Sequence, residues 1–183
     1  MILYLGPPSS LVQFLRENDE VLQSSVPLGQ LDLEELRPDW AVSYGYRHII
    51  RQPELDRFHD RIINLHISLL PWNRGADPNL WSWIDDTPKG VTIHHVDAGI
   101  DTGDIIAQRE VTFSGDETLA ESYDLLHRAM RRLLREEWPT ISSGRAGRHV
   151  QAPGGSCHRV ADRVRVAHLL VAGWDTPVRD LSR

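Results

Sequence analysis

The chain has 183 residues, of which 40% are hydrophobic and 25% charged. This length suits one domain of ordinary size, and this composition is typical of a folded protein in water. The formal net charge of -6 argues against a nucleic-acid partner. No apolar run approaches the roughly 18 to 20 residues of a membrane-spanning helix, so we expect no membrane partner. With a single cysteine and no secretory leader, we expect a cytoplasmic protein without a disulfide framework.

The first half of the chain alternates short apolar runs with polar segments. The runs at 1–5, 40–44 and 62–66 are bounded by turn residues, which predicts strands buried on both faces of a parallel sheet. Apolar residues at helical spacing after the first run predict a helix there. The opening half is therefore typical of an α/β protein.

The second half contains further elements of both kinds. A helix over about 78–85 would begin with Asp77 as its N-cap and Pro78 in its first turn. Strands are expected at 90–96 and 104–108, joined by a turn-rich loop. A helix from 116 to 138, closed by Pro139, should be the longest element.

The last segment follows a Pro-Gly-Gly linker at 153–155. Val164 and Val171 suggest one short final helix before Gly173. We therefore predict a mainly parallel, twisted sheet with helices on both faces, in which residues 1–150 form one domain and 151–183 pack on it as a tail.

Short polar motifs cluster between positions 64 and 104. They read Asn-Leu-His at 64–66, Ser-Leu-Leu-Pro at 68–71, Arg-Gly at 74–75, Gly-Val-Thr-Ile-His at 90–94 and Asp-Thr-Gly at 101–103. Because side chains alternate along a strand, Asn64 and His66 should lie on the same side of the backbone.

This set of motifs, in this order, resembles the folate-dependent formyltransferases over roughly residues 40–113. Residues 72–79 and the tail resemble most closely the members that act on nucleotide-linked amino sugars. The resemblance implies a Rossmann-like fold, with an N-terminal half that is shortened here between Leu5 and Trp40. It also implies 10-formyltetrahydrofolate as the formyl donor, a small-molecule amine as the acceptor, and Asn64, His66 and Asp101 as the catalytic residues.

The chemistry of those three residues suits formyl transfer. An amine that attacks a formyl carbon creates an oxyanion, and the Asn64 amide and a His66 N–H are suitable donors to it. Asp101 would keep His66 charged and accept the amine proton directly or through water. Each residue alone also has a purely structural interpretation, as a strand-end cap, a core histidine or a turn former. Asp104 is expected to be structural.

The resemblance also implies binding residues. Main-chain groups and apolar side chains of residues 43–50 would wrap the pterin ring, with the loop 97–101 on its other side. The expected cofactor contacts are Arg47, His48, Ile49, Ile50, Asp97, Ala98 and Ile100. The expected acceptor contacts are Trp72, Arg74, Asp77 and Pro78. Trp81 and Trp83 are expected in the core.

His94 and His95 raise the alternative of a hydrolytic metal site with His66 and an aspartate. Adjacent histidines on a strand point in opposite directions, so only one could join such a site. We therefore expect the second histidine to lie at the surface, and we expect no bound metal ion.

Several functional alternatives remain open at this stage. The acceptor could be an amino acid or an antibiotic precursor, or water could replace it in a formyltetrahydrofolate hydrolase. A folate-binding remnant without activity is a third possibility. The loop at 6–10 differs from the phosphate loop of the purine enzyme, and the barrel domain that grips tRNA is not seen, so neither substrate is expected. A homodimer is implied by the resemblance alone.

Overall fold

The computed structural model describes residues 1–181. The strands are β1 (Ile2–Leu5), β2 (Val21–Ser24), β3 (Trp40–Ser43), β4 (Ile62–His66), β5 (Arg74–Gly75), β6 (Gly90–His95), β7 (Ile105–Glu110) and β8 (Cys157–His158). The α-helices are α1 (Ser10–Arg16), α2 (Leu33–Leu36), α3 (Gln52–Phe58), α4 (Pro78–Ile84) and α5 (Leu119–Ser142). Short 3-10 segments lie at Leu28–Gln30, Val160–Leu169, Gly173–Asp175 and Val178–Asp180.

One six-stranded sheet organises the molecule, in the order β2-β1-β3-β4-β6-β7. Strands β2, β1, β3 and β4 are parallel, whereas β6 and β7 are each antiparallel to their neighbours. Strands β5 and β8 form a separate parallel pair. Helices α1 and α5 cover one face of the sheet, and α3 covers the other. The predicted α/β fold with a mainly parallel sheet is confirmed.

Alternation along β4 determines where its polar residues point. Ile63 and Leu65 belong to the apolar cluster that contains α5, whereas Ile62 belongs to the cluster on the α3 side. Because side chains two residues apart share a face, Asn64 and His66 lie on the α3 side with Ile62. They occupy the carboxyl-terminal part of the strand, where α/β sheets commonly bind ligands.

The sequence predicts that the longest helix is closed by Pro139, but α5 continues to Ser142. A proline inside a helix costs about 3 kcal/mol. Trp138 and Ile141 are 2% and 0% exposed in the main core, and burying a large apolar side chain contributes about 1.5–3 kcal/mol. Tertiary packing therefore offsets the local penalty.

Three further local expectations need correction. The edge strand β2 is not predicted because its residues are only half buried and carry a weak apolar pattern. Asp77 occupies the N-cap position of α4 in a left-handed conformation, but its side chain does not cap the helix. Val164 and Val171 are 78% and 91% exposed, so they form no buried helix face; within the 3-10 segment, Val166 is buried instead.

The C-terminal segment packs on α4 through a third apolar cluster. Trp81 and Trp83 lie in it, as predicted, together with Val166, Val178 and Leu181 from the last part of the chain. The last two residues of the predicted tail lie outside the described residues. Within residues 1–181, no helix is both long and apolar enough to cross a membrane.

A half-buried histidine joins β3 to α5. His127 Nδ1 is hydrogen-bonded to the hydroxyl of Tyr44, which follows β3, and the ring of Tyr123 packs against the imidazole. Burial, helped by the nearby Arg131 and opposed by Asp124, lowers the pKa of His127 to about 4. The imidazole is therefore neutral in the folded protein at neutral pH.

This depressed pKa predicts a loss of stability in mild acid. Below a pH of about 6.5 the unfolded chain protonates His127, whereas the folded protein does so only near pH 4. The free energy of unfolding should fall as the pH is lowered through this window. In urea titrations at several pH values, His127→Gln should show a shallower fall than the wild type. Identical pH profiles would contradict this assignment.

Candidate active site

The three predicted catalytic side chains lie together on the α3 side of the sheet. Asn64 Nδ2 donates to Asp101 Oδ1 at 3.0 Å, and His66 Nδ1 is 3.5 Å from Asp101 Oδ2. The Asp101 side chain is 15% exposed and that of His66 is 7% exposed. The site therefore combines a largely buried carboxylate with an amide and an imidazole within reach of one small substrate group.

The loop after β6 carries Asp101 back to the site. Asp101 has a φ of 52°, in the left-handed region that aspartate tolerates better than most residues. The backbone N–H of Gly75 in β5 donates to Asp101 Oδ2 at 2.8 Å. Asp97 closes the loop by accepting from Gly99 N at 3.1 Å and from the Thr102 hydroxyl at 2.7 and 2.9 Å. The carboxylate is thus fixed before any substrate arrives.

A fourth side chain, His94, belongs to this site and is not among the predicted site residues. The β4–β6 register pairs Asn64 directly with His94. Asn64 Nδ2 donates to His94 Nε2 at 3.2 Å, and His94 Nδ1 donates to the His95 carbonyl at 2.8 Å. His94 Nε2 also lies 3.5 Å from Asp101 Oδ1. The signal that could have found it is the cross-strand pairing, which periodicity alone does not supply.

His95 is buried, so its expected surface position is wrong. It is 7% exposed, and its Nδ1 donates to the Asp60 carbonyl at 3.0 Å. The register of β6 against β7 shifts between Ile93 and His94. All six residues of β6 are buried, so both faces of the strand are covered and two adjacent histidines can both be buried while pointing in opposite directions.

Burial sets the protonation of the His66–Asp101 pair. Burial lowers the pKa of His66, and the opposing influence of Asp101 does not overcome it. Burial raises the pKa of Asp101, but His66, His94 and the Gly75 N–H together bring it below its usual range. In the free protein we therefore assign a neutral imidazole beside a carboxylate. This assignment differs from the expectation that Asp101 keeps His66 charged, which stays a prediction.

The second nitrogen of His66 connects the site to the C-terminal segment. His66 Nε2 donates to the Asn73 carbonyl at 2.9 Å. Asn73 is fully buried; its amide donates to the Thr87 hydroxyl at 2.7 Å, and its backbone N–H donates to the Ser156 hydroxyl at 2.9 Å. These bonds fix the imidazole orientation and leave Nδ1 directed at Asp101.

Gln151 clamps the Asp101 loop from outside. Its amide nitrogen donates to the carbonyls of Asp101 and Gly103, each at 2.8 Å. Its amide oxygen accepts from Arg74 Nε and Nη2 at 3.1 and 3.0 Å. Arg74, expected to contact the acceptor, therefore holds a side chain that positions the catalytic loop.

The remaining predicted binding residues differ in exposure. Arg47, His48, Ile49, Asp97, Ala98 and Ile100 are exposed, whereas Ile50 is 8% exposed and packs in the core on the α3 side. Trp72 is 37% exposed, and Asp77 and Pro78 are half-buried at the start of α4. An open depression between α3 and the loop is lined by Leu55, His95, Asp97 and Ala98, among others. Within residues 1–181, no cluster of three or more His, Cys, Asp or Glu side chains could hold a metal ion.

Comparison with known proteins identifies the family of this chain. A model described as "Formyl transferase" matches residues 16–137. The chain belongs to the formyl transferase family. Methionyl-tRNA formyltransferase of Acetivibrio thermocellus is 39% identical over 126 residues, which are 67% of this chain and 40% of that protein. The chain thus spans less than half the length of this curated formyl transferase.

Solved structures of family members give a closer match. The formyltransferase PseJ from Anoxybacillus kamchatkensis is 48% identical, with a TM-score of 0.94 over 99% of this chain and 97% of that one. That structure contains UDP-4,6-dideoxy-4-formamido-L-AltNAc and tetrahydrofolate. A 4-N formyltransferase from Francisella tularensis, 21% identical with a TM-score of 0.77 over 88% of this chain and 76% of that one, shares the fold. The short connection between β1 and β3 is thus shared with a formyl transferase of known structure.

The Gln151 clamp yields a prediction for this formyl transferase. Gln151→Ala removes both donors to the Asp101 loop and frees Arg74, so the carboxylate should lose its fixed position. We expect formyl-transfer turnover to fall by about 10- to 100-fold, because small misplacements of a reacting group are costly.

The matched control for this variant is Gln108→Ala. Gln108 also donates two hydrogen bonds from its amide, to the Leu70 carbonyl at 2.8 Å and the Thr92 hydroxyl at 2.9 Å, but it does not contact the Asp101 loop. Both variants should unfold at similar urea concentrations. If both lost turnover equally, Gln151 would have no special role.

Proposed function

We propose that this chain transfers a formyl group from 10-formyltetrahydrofolate to the amine of a nucleotide-linked amino sugar. The observation that carries the proposal is the convergence of Asn64, His66 and Asp101 in a fold that matches PseJ almost end to end. PseJ was crystallised with a formylated UDP-sugar and tetrahydrofolate, which are the products of such a reaction.

Asn64 is the proposed donor to the developing oxyanion. In the free site its amide nitrogen donates to Asp101 Oδ1 at 3.0 Å and to His94 Nε2 at 3.2 Å. A formyl oxygen that replaces the longer of these contacts would receive one N–H while Asp101 keeps the other. His94 therefore acts as a positioning residue that fixes which way the amide points. Pre-oriented donors of this kind favour the transition state without further reorganisation.

The His66–Asp101 gap is the proposed destination of the amine proton. His66 Nδ1 and Asp101 Oδ2 face each other at 3.5 Å, and with a neutral imidazole both atoms present lone pairs. A proton placed between them is shared by two acceptors, so the pair titrates as one unit. The same proton is then available for the leaving nitrogen, which makes the pair a base in one step and an acid in the next.

We propose that the formyl donor binds beside the loop 97–101. His95 lines the depression beside this loop. Its Nδ1 donates to the Asp60 carbonyl, and its Nε2 has no hydrogen-bond partner among the described residues, so Nε2 is free to bond to a ligand. We propose that the exposed main chain of Arg47, His48 and Ile49, with Ile50 beneath and Asp97, Ala98 and Ile100 opposite, holds the pterin. When bound, the folate supplies the formyl group, and this chain orients it toward Asn64.

The acceptor is proposed to lie on the opposite side, against Trp72 and the start of α4 at Asp77 and Pro78. Asp77 offers a carboxylate that can accept a hydrogen bond from the neutral amine of the incoming sugar. Arg74 is retained only as an indirect contributor, through Gln151 and the Asp101 loop. Several expectations stay predictions. They are a homodimer, a cytoplasmic location, a domain over 1–150 with a tail over 151–183, and the absence of nucleic-acid, membrane and metal partners.

The catalytic assignment predicts large losses of activity. Asn64→Ala, His66→Ala and Asp101→Ala should each lower turnover by about two orders of magnitude or more, as expected for oxyanion and acid–base groups. Asp39→Ala is the control, because Asp39 is an exposed aspartate that pairs with the N-terminal amine at 2.7 Å, outside the site. Near-normal turnover in all three variants, with folding intact, would refute the mechanism.

The reaction itself is tested by following the absorbance change as 10-formyltetrahydrofolate becomes tetrahydrofolate. We expect turnover with nucleotide-linked amino sugars and none without an amine. Formate release in the absence of an amine would instead identify a hydrolase, and turnover with amino acids alone would overturn the amino-sugar acceptor.

A further inference from the structure

Two exposed aromatic side chains meet beside the start of α4. Tyr123, on α5, is 37% exposed, and Trp174, in the 3-10 turn Gly173–Asp175, is 40% exposed. Their ring centroids are 5.5 Å apart with an interplanar angle of 66°. The two rings thus form a corner with part of each face open, which the catalytic site does not use.

This corner is rigidly supported. The Leu119 N–H at the start of α5 donates to the Thr176 carbonyl at 3.0 Å, and the Val178 N–H donates to the Glu117 carbonyl at 2.9 Å. These bonds join the turn that carries Trp174 to the first turn of the helix that carries Tyr123. A surface whose parts are already fixed loses little entropy when a ligand binds.

Both positive and negative side chains lie near the two aromatic rings. The Arg163 guanidinium lies 5.9 Å from the centre of the Trp174 ring, within the range of a cation–π contact. Burial raises the pKa of Tyr123. Asp124 and Asp77 add to this rise, whereas Arg47 opposes it. Arg163 therefore faces Trp174 in a chain whose net charge is negative, and Arg47, Asp77 and Asp124 are near enough to Tyr123 to influence its pKa.

The corner also has a short structural path to the catalytic carboxylate. The start of α4 is joined to the turn of α5 that carries Tyr123, because Asn79 Nδ2 donates to the Leu119 carbonyl at 3.0 Å and Asn79 Oδ1 accepts from the Ser122 hydroxyl at 2.9 Å. Asp77 precedes this turn of α4 and is two residues from Gly75, whose N–H donates to Asp101 Oδ2 at 2.8 Å. A ligand that extends from the corner past Asp77 would therefore run toward the site of transfer.

We propose that Tyr123, Trp174 and Arg163 form the subsite for the nucleoside diphosphate of the acceptor, an inference that rests on the proposed function. A flat base stacks on the open aromatic faces, as bases do on aromatic platforms generally. Arg163 neutralises the diphosphate, and Asp77 faces the amino sugar beyond it.

The test uses UDP alone, titrated calorimetrically into the full chain, so that binding is measured without chemistry. Trp174→Ala and Tyr123→Ala should each weaken UDP binding by about 10-fold or more, and Trp174→Phe should restore most of it. Arg163→Ala should weaken UDP more than uridine. Arg165→Ala is the matched control, since Arg165 lies in the same 3-10 segment and pairs with Asp162 at 3.0 Å.

Kinetics separate this inference from the proposed function. The aromatic variants should raise the KM for the nucleotide-linked sugar and leave the KM for 10-formyltetrahydrofolate unchanged. If the wild type transfers formyl groups to the sugar but the variants bind UDP as tightly as it does, the subsite is wrong and the function stands. If the wild type binds UDP through these residues but formylates no amino sugar, the function is wrong and the subsite stands.

Discussion

The buried carboxylate of Asp101 is the interaction on which the rest of the site depends. It accepts from the Asn64 amide and the Gly75 N–H and lies 3.5 Å from both His66 and His94. Burying a charge is unfavourable unless several groups satisfy it. The same contacts that satisfy Asp101 therefore hold strand β4, strand β5 and the loop after β6 in one arrangement.

The C-terminal segment completes that arrangement. Gln151 fixes the loop that carries Asp101, and Ser156 supports Asn73, whose carbonyl receives the His66 N–H. Strand β8 in turn pairs with β5, so the segment that supplies the Gly75 N–H is itself held by residues near the end of the chain. The geometry of the reacting groups is thus shared between distant parts of the sequence, which explains why contacts remote from the chemistry should influence turnover.

Sequence patterns predicted the parts of this architecture that follow from local rules. Strand alternation placed Asn64 and His66 on one face, and apolar spacing located most of α5. Three features depend on tertiary contacts that such rules do not contain. His94 joins the site through its register with β4, Arg74 turns toward Gln151, and α5 passes Pro139 because Trp138 and Ile141 are buried.

The neutral state of His66 follows from the same burial that gives the site its order. An imidazole without charge, facing an ionised carboxylate, leaves a place for one proton and keeps it empty until the amine arrives. A permanently charged His66 would already hold that proton and would stabilise the oxyanion, but it could not take the proton that the attacking amine must lose. In the proposed mechanism, the low exposure of the pair therefore favours a site that first acts as a base, and only then as the acid that protonates the leaving folate nitrogen.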